Sequence, residues 1–161
     1  MLHLDISGLA IGASSPRLLH NTIVRNTGGD GRGVYLSSGT LAMTNTIIVS
    51  HTVGIYVEPG STATLESTLW GSGAWANGTD WAGTGTINTS TDFWGNPDFV
   101  DPDAGDYHIG PNSNAIDQGV DAGVKYDIDF HPRPYQAPDI GADEYWPPGA
   151  LKFIYLPIII R

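Results

Sequence analysis

The sequence predicts an all-β solenoid, and three observations predict it. A phrase recurs through the first half of the chain, as Leu18–Val24 (LLHNTIV), Leu41–Ile48 (LAMTNTII) and Ala63–Trp70 (ATLESTLW). A shorter phrase trails the first two copies, Gly33–Leu36 (GVYL) and then Gly54–Val57 (GIYV). The composition agrees. There are 21 Gly and 11 Pro in 161 residues, with few Lys or Glu, which disfavours helices, and the Thr, Ile, Val, Tyr and Trp content suits strands.

Aligning the copies places Ile23, Ile47 and Leu69 at matching positions, 24 and 22 residues apart. Gly33 and Gly54 are 21 apart, and the glycine-rich insertion 28–32 absorbs the difference. A period in this range means stacked units that bury an apolar face only against their neighbours. Alternation and β-branching make those units strands.

Taken in order, residues 1 to about 70 read as about three regular coils. In each, a strand such as 46–49 turns into a second strand such as 54–57, and a corner such as 58–61 (EPGS) leads to the next coil. Alternation puts Ile55 and Val57 on one face and Tyr56 on the other. Asn21 and Asn45 fall at equivalent corners, with Ser67 in the third copy. Asn tolerates the left-handed backbone that a sharp corner needs. Residues 71–96 read as a loop-rich excursion carrying Trp75 and Trp81, followed by strand-like 85–88. An irregular, acidic closing region runs to 146, and 147–161 form a Pro/Gly linker and an apolar terminal strand.

The formal charge is −10, and between Gly33 and Gly123 there are ten acidic residues and no Lys or Arg. Such a surface repels phosphate backbones, which disfavours nucleic acid as a partner. It keeps the protein soluble or attracts divalent cations. With no cysteine, disulfides and thiolate metal sites are excluded. The first residues, MLHLD, have an early acid and no basic stretch, so no leader is read there. The chain opens directly in strand-like text without a cap, so the expectation is a start inside a longer exported protein.

The closing phrases are the most specific. Asp106–Ile109 (DYHI), Ala115–Asp117 (AID), Gly119, Arg133–Pro134 and Asp139–Ala142 (DIGA) with Glu144 recur at characteristic intervals. Together with the repeats, they resemble right-handed parallel β-helix proteins of bacterial surfaces that carry a choice-of-anchor Q type C-terminal region. The pattern departs at Asn114, where Pro is usual, and at Phe130–His131, where a Gly usually follows the Asp. The resemblance spans residues 18–146 and implies a right-handed parallel β-helix at the cell surface. The ending from Lys152 to Arg161 (KFIYLPIIIR) is similar to the tail of exported proteins of the Chloroflexi. It is too short for a membrane span and is broken by Pro157. Its apolar residues Phe153, Tyr155, Leu156, Ile158, Ile159 and Ile160 need cover, from their own solenoid or from a neighbouring subunit.

Some β-helix proteins cleave polysaccharides, so the resemblance makes carbohydrate chemistry worth testing. Hydrolysis needs two carboxylates across one sugar bond. In the regular coils the acids are only Asp5, Asp30, Glu58 and Glu66, and none recurs in register. The reading is therefore non-catalytic. Among the denser C-terminal acids, Asp127 and Asp129 could offer a carboxylate pair to calcium, although no twelve-residue calcium loop is present. The same residues cap turns without a metal. Arg133, between two prolines, is expected to pair with Asp139 or Asp117 and clamp the closing coils. The five histidines lack metal spacing, and His108 reads as a structural hydrogen-bonder. Trp75 and Trp81 could stack on sugar rings or cover the solenoid's side.

The expected function is a surface structural module that self-associates head to tail, or is continued by further coils of a longer parent chain. A glycan-binding adhesive module, with a cell-surface polysaccharide as partner, is the alternative. A polysaccharide lyase or hydrolase is a third reading.

Overall fold

Short runs in which aliphatic and β-branched residues alternate with polar ones pair side by side, and glycine-rich corners return the chain to the start of the next run. A computed structural model describes residues 7–26 and 28–150 in this arrangement. Strands β1 (Leu9–Ile11), β3 (Arg32–Leu36), β5 (Val53–Val57) and β7 (Thr79–Gly83) form one parallel sheet in that order. Strands β2 (Arg17–Val24), β4 (Thr40–Val49), β6 (Thr62–Gly71) and β8 (Thr86–Gly95) form a second parallel sheet. Each coil takes one strand from each sheet, so the protein is a parallel β-solenoid of four turns. The alternation within a coil is as the sequence predicts, with Ile55 and Val57 fully buried and Tyr56 on the outer face. There Tyr56 stands beside Tyr35, and the Arg32 guanidinium lies over both rings.

The register corrects the sequence alignment by one residue in the first coil. Ile23 pairs with Ile48, and Thr22 stands opposite Ile47, which in turn meets Leu69. The stacked corner is therefore His20, Asn45, Ser67 and Thr91, all left-handed with φ of 52°, 56°, 52° and 57°. Asn21 lies one residue past that corner, opposite Thr46, and is not the equivalent of Asn45. The shared Asn-Thr-Ile text misaligned the copies because backbone conformation at this corner, not side-chain identity, is what repeats.

That corner also reverses the alternation. In β4 the inward residues before it are Leu41 and Met43, and after it Ile48. A single left-handed residue shifts the two-residue side-chain period by one position. Ile47 and Val49 consequently point outward, yet both are fully buried. Two cores result. One fills the solenoid, with Val34, Leu36, Met43, Ile55, Leu65 and Trp70. The other lies outside the second sheet, where Ile47, Val49 and Leu69 meet Phe99, Ile109 and Ile140. Each such fully buried side chain contributes about 1.5–3 kcal/mol.

The segment read as a loop-rich excursion contains the fourth coil, since β7 and β8 pair in register with β5 and β6. Its text is polar (Thr-Ile-Asn-Thr-Ser-Thr-Asp) because an outermost coil covers only one side of its strands. The described residues after β8 do not continue the parallel stack. They run along the flank of the second sheet with one antiparallel pair, β9 (Phe99–Asp101) and β10 (Asp106–Ile109). They are tied to it by Gly141 N–H to the Asn45 carbonyl at 3.0 Å and Ala142 N–H to Thr22 Oγ1 at 3.1 Å.

Candidate functional site

The flank layer is where charge accumulates. Arg133 is buried, and its Nη1 lies 3.0 Å from Glu144 Oε2, with both side chains almost wholly excluded from solvent. Arg133 Nη2 donates to the Gly141 carbonyl at 3.0 Å, and Nη1 reaches the Asp139 carbonyl at 3.3 Å. Its carboxylate partner is therefore Glu144, where the sequence pointed to Asp139 or Asp117. Those two acids serve backbone amides. Asp139 accepts from Asp117 N–H at 2.7 Å and Tyr145 N–H at 2.6 Å, while Asp117 accepts from Ala137 N–H at 2.9 Å. The Asp139 and Asp117 carboxylates are thus already occupied by backbone amides that the fold brings to them, 6 to 22 residues away, which leaves the guanidinium to Glu144. Burial pushes the Asp139 carboxyl up to about 7, and burial also raises Glu144. Arg133 thus joins the Glu144 carboxylate to the Asp139 and Gly141 carbonyls within the flank.

Asn45 belongs to the same network. Its side chain accepts from Val120 N–H at 2.9 Å and donates to the Val120 carbonyl at 2.7 Å, 75 residues away. A corner residue of the solenoid thus recruits the flank segment as if it were another strand.

Between that flank and the second sheet lies a cleft of about 430 Å³, bounded by Thr22 and Val24 on one side and Tyr107, His108, Ile128 and Asp143 on the other. His108 sits on β10 two residues after Asp106, so the period of a strand puts both on one face. Its Nδ1 lies 2.5 Å from Asp106 Oδ1, and its Nε2 lies 3.0 Å from Asp129 Oδ2. The hydrogen bond to Asp106 raises the His108 pKa and lowers that of Asp106. Asp143, buried beside them, accepts from Ile109 N–H at 2.8 Å, and burial raises its carboxyl. One ligand atom each from His108, Asp129 and Asp143 can be chosen so that all lie within 4.8 Å of one another.

Comparison with family models, curated proteins and solved structures returned no match. The site is therefore read from its own chemistry.

The sequence-predicted residues divide as follows. Asp127 and Asp129 are not brought together as a carboxylate pair. Asp127 turns inward, and its Oδ1 accepts from Asp129 N–H at 2.9 Å and His131 N–H at 2.7 Å. Asp129 turns to His108 instead. The chain turns at residues 128–129, closed by the Asp129 N–H to Asp127 Oδ1 bond, so the two-residue period that would put both carboxylates on one face of a strand does not hold there. Trp75 packs in the flank core, edge-on to Phe99 with the Arg25 guanidinium over its ring, which fits the covering role. Trp81 lies on β7 against Trp70 and remains partly exposed. The assembly residues Phe153, Tyr155, Leu156, Ile158, Ile159 and Ile160 lie outside the described residues. Among the described residues, no helix is long and apolar enough to cross a membrane.

Sequence reasoning missed Asp143, Glu144 and His20 as partners. His108 alone carried a readable signal, its two-residue spacing from Asp106. The others meet only through the fold, with Glu144 eleven residues and His20 113 residues from Arg133.

Proposed function

We propose that the chain is a non-catalytic structural module of a bacterial surface, extended end to end by stacking of its terminal coils on a second copy. One observation carries this reading. The inward ladder of apolar residues ends uncovered at the fourth coil. Trp94 is 55% exposed and Trp81 40%, although the residues they pair with in the coil beneath, Trp70 and Ile55, are fully buried. Among the described residues, β7 and β8 pair on one side only, as do β1 and β2 at the other end. An open ten-residue edge beside exposed Trp is a template for another coil. Repeated head-to-tail contacts of this kind do not close and build filaments. The extracellular setting rests on the resemblance of the closing phrases. The role of segment 153–160 as connector belongs to the same proposal.

Analytical ultracentrifugation over a wide concentration range, with negative-stain electron microscopy, tests it. The intact chain should associate, and Ser90→Pro or Trp94→Glu on the outer edge should abolish association with the fold kept. A chain that stays monomeric throughout, with and without residues 150–161, ends the proposal.

A second reading has its own observation. Trp94 donates from Nε1 to Asp80 Oδ2 at 2.9 Å, next to Trp81, so an exposed indole stands beside a hydrogen-bonding acid. An indole offers a flat apolar face, and the acid beside it a polar handle, the two kinds of surface that a sugar ring would meet. Binding on a glycan panel that is lost in Trp94→Ala and Trp81→Ala would favour this reading over stacking.

A further inference from the structure

We propose that His108, Asp129 and Asp143 form a binding site for a divalent transition-metal ion, with zinc the ion that the donor set suits best. The three residues come from three separate segments: β10, the turn after Asp127, and the run after Ala142. They carry one imidazole nitrogen and two carboxylates, all within 4.8 Å of one another. Zinc takes nitrogen and oxygen ligands at about 2.0–2.2 Å, which sets neighbouring ligand atoms roughly 3–3.5 Å apart. From separations within 4.8 Å, a contraction of at most about 1.3–1.8 Å reaches that geometry.

Three further features distinguish the cluster from a chance gathering of acids. First, His108 Nε2 is a buried atom that makes no hydrogen bond, although Asp129 Oδ2 lies only 3.0 Å from it. Two atoms at that separation without hydrogen-bond alignment have the disposition of adjacent ligands on one ion. Second, His108 Nδ1 is held by Asp106 Oδ1 at 2.5 Å, and in the neutral ring that pairing keeps the proton on Nδ1 and leaves the Nε2 lone pair for a metal. A carboxylate behind the distal nitrogen of a ligating histidine is the usual outer support of such sites. Asp143 is oriented in the same manner by Ile109 N–H at 2.8 Å. Third, His108 and Asp143 line the 430 Å³ cleft, which supplies an entry path and room for a water or an external ligand in the remaining coordination position.

Calcium fits less well, because it takes six to eight oxygens and this set has one nitrogen and two carboxylates. The ion would pin β10 to both neighbouring segments and so brace the flank layer against the solenoid. This inference stands apart from the stacking proposal, since neither edge of the solenoid takes part in it.

The test uses the full chain, stripped with a chelator and titrated with zinc chloride by isothermal calorimetry. Cobalt substitution then reads the ligand set by its visible absorption. One ion per chain should bind. His108→Ala and Asp129→Asn should weaken binding by at least about tenfold, and Asp106→Asn by roughly 10–100-fold through loss of the outer support. Circular dichroism establishes that each variant is folded. Zinc should also raise the melting temperature of the native chain but not that of Asp129→Asn. Any of three results overturns the proposal: no saturable binding at millimolar zinc, binding unchanged in folded His108→Ala, or calcium binding more tightly than zinc.

Discussion

Arg133 Nη1 lies 3.0 Å from His20 Nδ1, a contact that joins the first long strand of the solenoid to a loop 113 residues downstream. On the other side of the ring, Asn45 Nδ2 lies 2.9 Å from Nε2. With a guanidinium on one flank and an amide donor on the other, the imidazole has little tolerance for a second proton.

A pH dependence follows. Burial first, and Arg133 second, lower the His20 pKa from 6.5 to about 4, against the smaller opposing pull of the Asp139 and Gly141 carbonyls and of Asp121. The unfolded chain then binds protons more readily, so this group's contribution is complete above 6.5 and is lost as pH falls through about 4. Asp139 has the opposite sign. Raised from 3.8 to about 7, it favours the fold while protonated, and that contribution is lost as pH rises through about 7. The two offset each other across the interval between. In His20→Asn, which borrows the corner residue of the next coil, denaturant midpoints should decline more steeply as pH rises from about 4 to 7 than in the native chain. Parallel pH profiles for the two proteins would refute this account of His20.

The Arg133–Glu144 pair makes a sharper stability test. Glu144→Gln leaves a buried guanidinium without its counter-charge and should cost about 3–5 kcal/mol. Combining it with Arg133→Met removes that uncompensated charge. The double variant should therefore be more stable than the sum of the single losses predicts, by about 2 kcal/mol, in urea unfolding. Strict additivity would mean that the two groups do not act as a pair.

Left-handed positions separate strain from crowding. Gly39 has φ of 100°, and a Cβ there would lie 2.2 Å from the Ser14 carbonyl oxygen, whereas at Gly60, with φ of 81°, nothing lies within 4 Å. Gly60→Ala should cost about 1–2 kcal/mol from backbone strain alone. Gly39→Ala should cost clearly more, because backbone must move. At the stacked corner, Ser67 combines φ of 52° with a buried hydroxyl that has no hydrogen-bond partner. Ser67→Gly should accordingly stabilise the protein by about 1 kcal/mol, measured by thermal melting.

The flank layer should unfold with the solenoid. Leu69→Ala opens the interface between them and should cost about 2–5 kcal/mol, while Ile128→Ala, at a residue 62% exposed, should change stability by less than about 1 kcal/mol. One cooperative transition by both far-ultraviolet circular dichroism and Trp fluorescence is expected for Leu69→Ala. Two separated transitions would show that the flank is an independent unit.

Much of the architecture was legible beforehand. The spacing of Gly33 and Gly54 located β3 and β5 correctly, and the Ile55-Tyr56-Val57 alternation assigned their faces. The fourth coil was harder to read because β8 carries an exposed Thr89 where the inner coils carry buried Leu65 and Met43, and an exposed Thr91 at the corner where Ser67 and Asn45 are buried. An end strand lacks the second neighbour that would bury these positions. The site was less legible still. Asp106 and His108 share a face by strand period, but Asp129 and Asp143 reach them only through the path of the flank.

By itself, then, the sequence determined the unit and its repetition, because a two-residue side-chain period and glycine corners are local properties of the chain. It also determined that the surface would be acidic. Only the tertiary structure decided that His20 rather than Asn21 turns the first corner and that Glu144 rather than Asp139 answers Arg133. The same holds for the meeting of His108 with Asp129 and Asp143. The physical reason is shared. Each of those outcomes depends on which segments the flank lays against the solenoid, and charged and polar side chains take the partner that packing brings to about 3 Å, at whatever distance along the chain.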